Sequence, residues 1–131
     1  MFSHIVVGVK DFDRALAFYK PVMEVLGAPL RFVDAGRPWA GWQSLPHPRP
    51  LFLIGTPFDQ EKHDAGNGQM LAFLAKDRAT VDEAHRVAIA LGAVSEGAPG
   101  LRPEYHAHYY GAYIRDTEGN KLCFACHDAP S

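Results

Sequence analysis

The chain has 131 residues, 47% hydrophobic and 21% charged, which suits a single domain with one real core and excludes disordered and fibrous classes. Its 13 Lys plus Arg against 15 Asp plus Glu, with the basic residues scattered, leave no footprint for nucleic acid. No apolar run approaches the roughly 20 residues that cross a bilayer and no cleavable leader pattern opens the chain, so no membrane partner and a cytoplasmic location are expected.

Phe2 to Val9 is β-branched and apolar enough for a buried strand, with Ile5, Val7 and Val9 on one face and His4, Val6 and Gly8 on the other. Asp11 then offers an N-cap. Phe12, Ala15, Leu16, Tyr19, Met23 and Leu26 recur at helical spacing until Gly27 ends the run, and Pro21 inside it predicts a bent helix. Three short strands follow, near Leu30 to Val33, Trp39 to Leu45 and Leu51 to Ile54, separated by Pro- and Gly-rich turns. Residues 57–69, with Pro57, Gly66 and Gly68, read as a polar linker, and both His47 and His63 are expected to be solvated.

The second half echoes the first. Met70 to Ala75 is a strand, Lys76-Asp77 repeats Lys10-Asp11, and Leu91-Gly92-Ala93 repeats Leu26-Gly27-Ala28, at separations of 66 and 65 residues, so the second helix lacks one residue. Val81, Ala84, His85, Ala88 and Leu91 supply its apolar face. A weak strand near Val94 to Gly97 and a Pro-rich crossing from Pro99 to Pro103 precede a hairpin around Asp116-Thr-Glu-Gly-Asn120, where Gly119 supplies a positive φ. Alternation in that hairpin puts Leu122, Phe124 and Cys126 on one face and Lys121, Cys123 and Ala125 on the other. It likewise separates Tyr109, Gly111 and Tyr113 from Tyr110, Ala112 and Ile114, the latter suited to packing under a helix. Cys123 and Cys126 therefore point apart and are expected to be free thiols.

The reading is an α+β chain of two tandem βαβββ modules forming a cupped mixed sheet around a central cleft. Module one covers about 1–56, a linker 57–69 and module two 70–131. Each helix covers one sheet face, and the other face needs a different cover.

This arrangement resembles the vicinal oxygen chelate superfamily, which includes glyoxalase I, extradiol dioxygenases, fosfomycin-resistance proteins and bleomycin-binding proteins. The resemblance rests on His4 opening the first strand, Asp11 through Gly27, the Lys76-Asp77 restart and Asp116-Thr-Glu-Gly-Asn-Lys-Leu122, similar to the family's Asp-Pro-Asp-Gly-Asn turn. It implies metal-binding positions at the starts of the first and fifth strands and the middle of the eighth, commonly His, His and Glu. Here they hold His4, Met70 and Cys123. A thioether suits Mg²⁺, Mn²⁺ or Fe²⁺ poorly and the charge-balancing carboxylate is missing, so no metal cofactor of that kind is expected, while Cu(I) or Zn²⁺ is the alternative for a His, Met and Cys set.

The expected ligand pocket comprises His4, Val6, Met70, Tyr109, Tyr113 and Cys123, with Tyr105, His106 and His108 as secondary candidates. Aromatic walls with a few hydrogen-bonding tips are what small-molecule pockets use. A small organic ligand is thus the expected partner, with a homodimer implied by the resemblance. The alternatives are a lyase, isomerase or dioxygenase working through a metal or a His/Tyr acid-base pair, with Cys123 as a candidate nucleophile, and a protein interaction module.

Overall fold

The computed structural model describes residues 1–130. Two compact units follow one another, Met1–Ala65 and the residues from Gly66 onward. The first contains β1 (His4–Gly8), α1 (Phe12–Val25), β2 (Leu30–Asp34), β3 (Trp39–Trp42) and β4 (Leu51–Gly55). The second contains β5 (Leu71–Leu74), α2 (Arg78–Ala90), β6 (Val94–Leu101), β7 (Tyr110–Arg115) and β8 (Lys121–Cys126). Their sheets run β1-β4-β3-β2 and β5-β8-β7-β6, with the first pair of each parallel and the rest antiparallel. Identical order and sense in both halves make the chain a tandem pair of βαβββ modules.

Local chemistry explains the repeated grammar. Asp11 Oδ1 accepts from the Arg14 N–H at 3.1 Å, and Asp77 Oδ1 accepts from the Thr80 N–H at 2.8 Å and its hydroxyl at 2.6 Å, so each helix begins at a side-chain cap. Each ends two residues before a left-handed glycine, Gly27 at φ 77° and Gly92 at φ 106°. The helices span 14 and 13 residues, which locates the missing residue inside α2. α1 continues through Pro21, with Phe18 and Tyr19 buried before it and Val22 and Met23 buried after it.

In the first module Tyr19 packs its ring against Phe18, Phe52 and Trp42, at centroid distances of 5.0, 5.2 and 6.2 Å. Phe18 and Val22 are buried where the sequence pattern favoured Leu16 and Leu26, so the inward stripe of α1 is turned toward them. In the second module Val81, Ala84 and Ala88 of α2 are buried above Ala112, Ile114, Leu122 and Phe124, and the Tyr110 hydroxyl donates to Asp82 Oδ1 at 2.6 Å. His85 is only half-buried, and Leu91 is exposed.

Several boundaries differ from the sequence reading, each for a reason of position in the sheet. β1 is an edge strand, so Val6 is 58% exposed and burial belongs to β4, whose five residues are all buried. β6 runs on to Leu101 through Pro99, which an edge strand tolerates because no ladder hydrogen bond is required there, and its register shifts between Ser95 and Gly97 and between Gly97 and Gly100. β3 stops at Trp42, short of Leu45, and β5 excludes Met70 and Ala75.

Candidate functional site

The β7–β8 turn sets the register of everything above it. Asp116 is buried, and its Oδ1 accepts from the N–H groups of Glu118 and Asn120, both at 2.8 Å, while Asn120 Nδ2 donates to Oδ2 at 3.1 Å. Gly119 takes φ 86°, as the turn requires. Tyr113 consequently sits opposite Cys123 and Gly111 opposite Ala125, on the face away from α2. Ala72 of β5 is registered with Cys123, and Gly97 of β6 with Tyr113, so much of that face is lined by small residues.

Over this floor lies a row of aromatic rings. A Cβ built on Gly111 would come within 2.8 Å of Tyr109 Cε1, so the Tyr109 ring rests where only glycine leaves room. Its hydroxyl is 2.9 Å from the Tyr113 hydroxyl and 3.5 Å from Cys123 Sγ. Tyr105, His106 and His127 surround the same ring edge-on, at 4.9, 5.7 and 5.2 Å. The loop before β7 is fastened by Arg102 N–H to Tyr109 carbonyl and Tyr105 N–H to Arg102 carbonyl bonds of 2.9 and 3.0 Å.

The electrostatics of the row favour neutral groups. Burial pushes the Cys123 thiol above its ordinary value, and the hydroxyls of Tyr109 and Tyr113 offset only part of that. Burial also raises Tyr109 far above the usual phenol range, with Cys123 and Tyr113 adding to it, and burial raises Tyr113. Near neutral pH the row is therefore two phenols and a thiol, all protonated. Such a surface donates and accepts hydrogen bonds and stacks flat groups, but it supplies no ready thiolate nucleophile.

His106 and His127 form a second polar pair beside Tyr109. The His108 N–H donates to His106 Nδ1 at 3.2 Å, which leaves the proton on His106 Nε2 to be donated to His127 Nδ1 at 2.8 Å. His108 contributes its backbone to this arrangement, and its side chain is exposed. No spacing rule would have paired His106 with His127, which lies 21 residues away across a hairpin. Arg102 was equally hidden in what read as a Pro-rich crossing.

Met70 is 45% exposed just before β5. His4 and Val6 belong to the first unit, exposed on β1, with His4 Nδ1 2.8 Å from the Ser3 hydroxyl. His63 departs from its expected solvated position. Its ring lies over Gly8, where a Cβ would fall 2.5 Å from Nδ1, and its Nε2 is buried without a hydrogen-bond partner among the described residues. His47 is exposed and accepts from the Arg49 N–H at 3.1 Å.

The donors at the positions implied for a metal fit a hard divalent ion poorly. They are an imidazole, a thioether and a thiol engaged with Tyr109, with no carboxylate among them to balance the ion's charge. A shallow hollow at the start of α2, lined by Lys76, Arg78 and Cys126 among others, has its helix terminus already capped by Asp77.

Both fold and sequence have clear relatives. A crystal structure described as a glyoxalase/bleomycin resistance protein from Albidiferax ferrireducens T118 is 34% identical, with a TM-score of 0.85 over 96% of this chain and 98% of that one. A glyoxalase/bleomycin resistance protein/dioxygenase family enzyme from Burkholderia phytofirmans PsJN shares the fold at 21% identity and a TM-score of 0.72, over 96% and 98% of the two chains. The lactoylglutathione lyase from Agrobacterium tumefaciens does so at 24% and 0.66, over 96% and 92%. None of the curated proteins matches the chain significantly. The family model for the glyoxalase/bleomycin resistance protein/dioxygenase superfamily matches residues 1–124, and the chain belongs to that superfamily.

Proposed function

We propose that this chain is a small-molecule-binding member of the superfamily that holds an aromatic or conjugated ligand on the tyrosine-lined face of its second module, without a hard catalytic metal. The observation that carries the reading is the row Tyr113, Tyr109 and Cys123, three neutral hydrogen-bonding groups laid on a floor of small residues. Rings stack on Tyr109 and Tyr113, and the hydroxyls orient whatever polar group the ligand carries. Cys123, which has no exposed surface, backs the row beneath the tyrosine hydroxyls and is not a reagent.

Thermal unfolding against a panel of aromatic acids and small thiol adducts tests this. A ligand at a hundredfold excess over Kd stabilises the protein by about 2.7 kcal/mol, and Tyr113→Ala is expected to abolish that gain. A panel without any stabilising compound, or equal stabilisation of Tyr113→Ala, overturns the reading.

One observation favours a second reading, a lyase or isomerase that moves a proton beside a carbonyl. The His106–His127 pair lies edge-on to Tyr109 with its proton already directed from one ring to the other. Saturable turnover lost in both His106→Ala and His127→Ala would establish catalysis, and turnover unchanged in both would remove this pair from it.

A further inference from the structure

Two cations flank the tyrosine row without an acidic partner. Arg102 follows β6 and folds back over it, its Nη2 donating to the Ala98 carbonyl at 2.8 Å and its Nη1 to the Leu101 carbonyl at 3.4 Å. Cβ atoms built on Gly97 and Gly100 would lie 3.2 Å from Nη2 and 3.1 Å from Nη1, so the guanidinium occupies space that two glycines leave open. The Arg102 Cζ stands 5.5 Å from the centre of the Tyr113 ring, and Lys121 Nζ stands 6.0 Å from the same centre. Among the described residues the ion pairs are Arg86–Glu83 and Arg115–Glu96, and neither Arg102 nor Lys121 joins one. A guanidinium has five N–H donors, and the two carbonyls leave most of the fork unused. Around it stand a thiol and phenols kept neutral by burial, and the Glu96 carboxylate is taken up by Arg115, so Arg102 and Lys121 leave the face positive.

We infer that the ligand of this face is an anion, specifically an aromatic or conjugated carboxylate whose carboxylate is received by Arg102. The guanidinium offers the planar, two-point geometry that a carboxylate matches, and half-burial beside neutral groups strengthens the pairing. Lys121 adds a second positive charge that steers the anion without fixing its orientation. The inference rests on the binding reading above, and a matched pair of probes keeps the two separable.

The test is calorimetric titration of the full chain with 2-naphthoate and with its neutral counterpart 2-naphthamide. The unaltered protein is expected to bind the naphthoate about tenfold tighter, the size of one charge-assisted hydrogen bond. Added salt should narrow that ratio while leaving the amide unaffected. Arg102→Gln should bring the two probes to within about twofold, while residual binding of the amide and an unchanged unfolding midpoint of the free protein report that the face is still folded. Equal binding of both probes to the unaltered protein overturns the anion inference and leaves the binding reading standing. A naphthoate preference that survives Arg102→Gln overturns the assignment to Arg102. Binding of neither probe removes the inference together with the reading beneath it.

Discussion

The two modules share strand order, helix caps and closing glycines, yet they differ in which aromatic residues they set on each face. In the first, Phe18, Tyr19, Trp42 and Phe52 cluster between helix and sheet, where Tyr19 and Trp42 are almost completely buried. In the second, the helix covers mostly alanines and branched residues around Phe73 and Phe124, and the polar rings of Tyr105, Tyr109 and Tyr113 lie on the other side. Each module even sets a glycine of its third strand beneath a ring. Gly41 lies under Phe32, where a Cβ would come within 2.5 Å of Cε1, and Gly111 lies under Tyr109. The difference is a hydroxyl. The tandem modules present equal scaffolds, and in the second the rings on that face carry hydroxyls, the feature on which the binding proposal rests.

Substitutions at matched places should break the two modules in different ways. Tyr19→Ala, which empties the aromatic core of the first, is expected to cost about 3–5 kcal/mol in chemical denaturation, whereas a cost under about 1 kcal/mol would show that core to be unimportant. Gly111→Ala sets a methyl against the Tyr109 ring. A loss of about 1–3 kcal/mol is expected, together with loss of ligand stabilisation, because the ring cannot stay on its floor. Tyr113→Phe keeps the ring and removes one hydroxyl, costing about 1 kcal/mol or less while changing which ligands bind. Equal affinities before and after that change would mean that the hydroxyl has no part in selection.

The smallest effect concerns pH and vanishes below the ordinary thiol value of 9.0. Cys123, Tyr109 and Tyr113 have folded pKa values raised above their unfolded ones, so the folded state holds more protons as pH rises through that window. Stability is therefore full below about pH 9 and declines above it. Urea midpoints measured from neutral to alkaline pH should fall less steeply in Cys123→Ala and in Tyr113→Phe. An identical decline in both variants and the unaltered protein would place the alkaline sensitivity elsewhere.

Much of the fold was legible in the chain because it depends on local rules. Asp11 and Asp77 as caps, Gly27 and Gly92 as stops, and the turn from Asp116 to Asn120 involve residues within a few positions of one another. The alternation of β7 and β8 likewise separated Tyr113 and Cys123 from Ile114 and Phe124. What alternation could not reveal was which strand would stand at an edge. The Val and Ile content of β1 predicts a buried strand and Pro99 falls in the expected Pro-rich crossing, although burial and Pro tolerance both follow from neighbours that only the sheet supplies.

By itself, then, the sequence determined the two βαβββ modules, their caps and turns, the free thiols and the tyrosines that share a face with Cys123, since each of these follows from backbone periodicity and turn geometry. The tertiary structure alone decided that His127 meets His106, that His63 covers Gly8, and that Arg102 lies over Gly97 and Gly100 beside Tyr113. Such meetings depend on how distant segments fold over one another, and no spacing along the chain encodes which side chains a bent-back loop will touch.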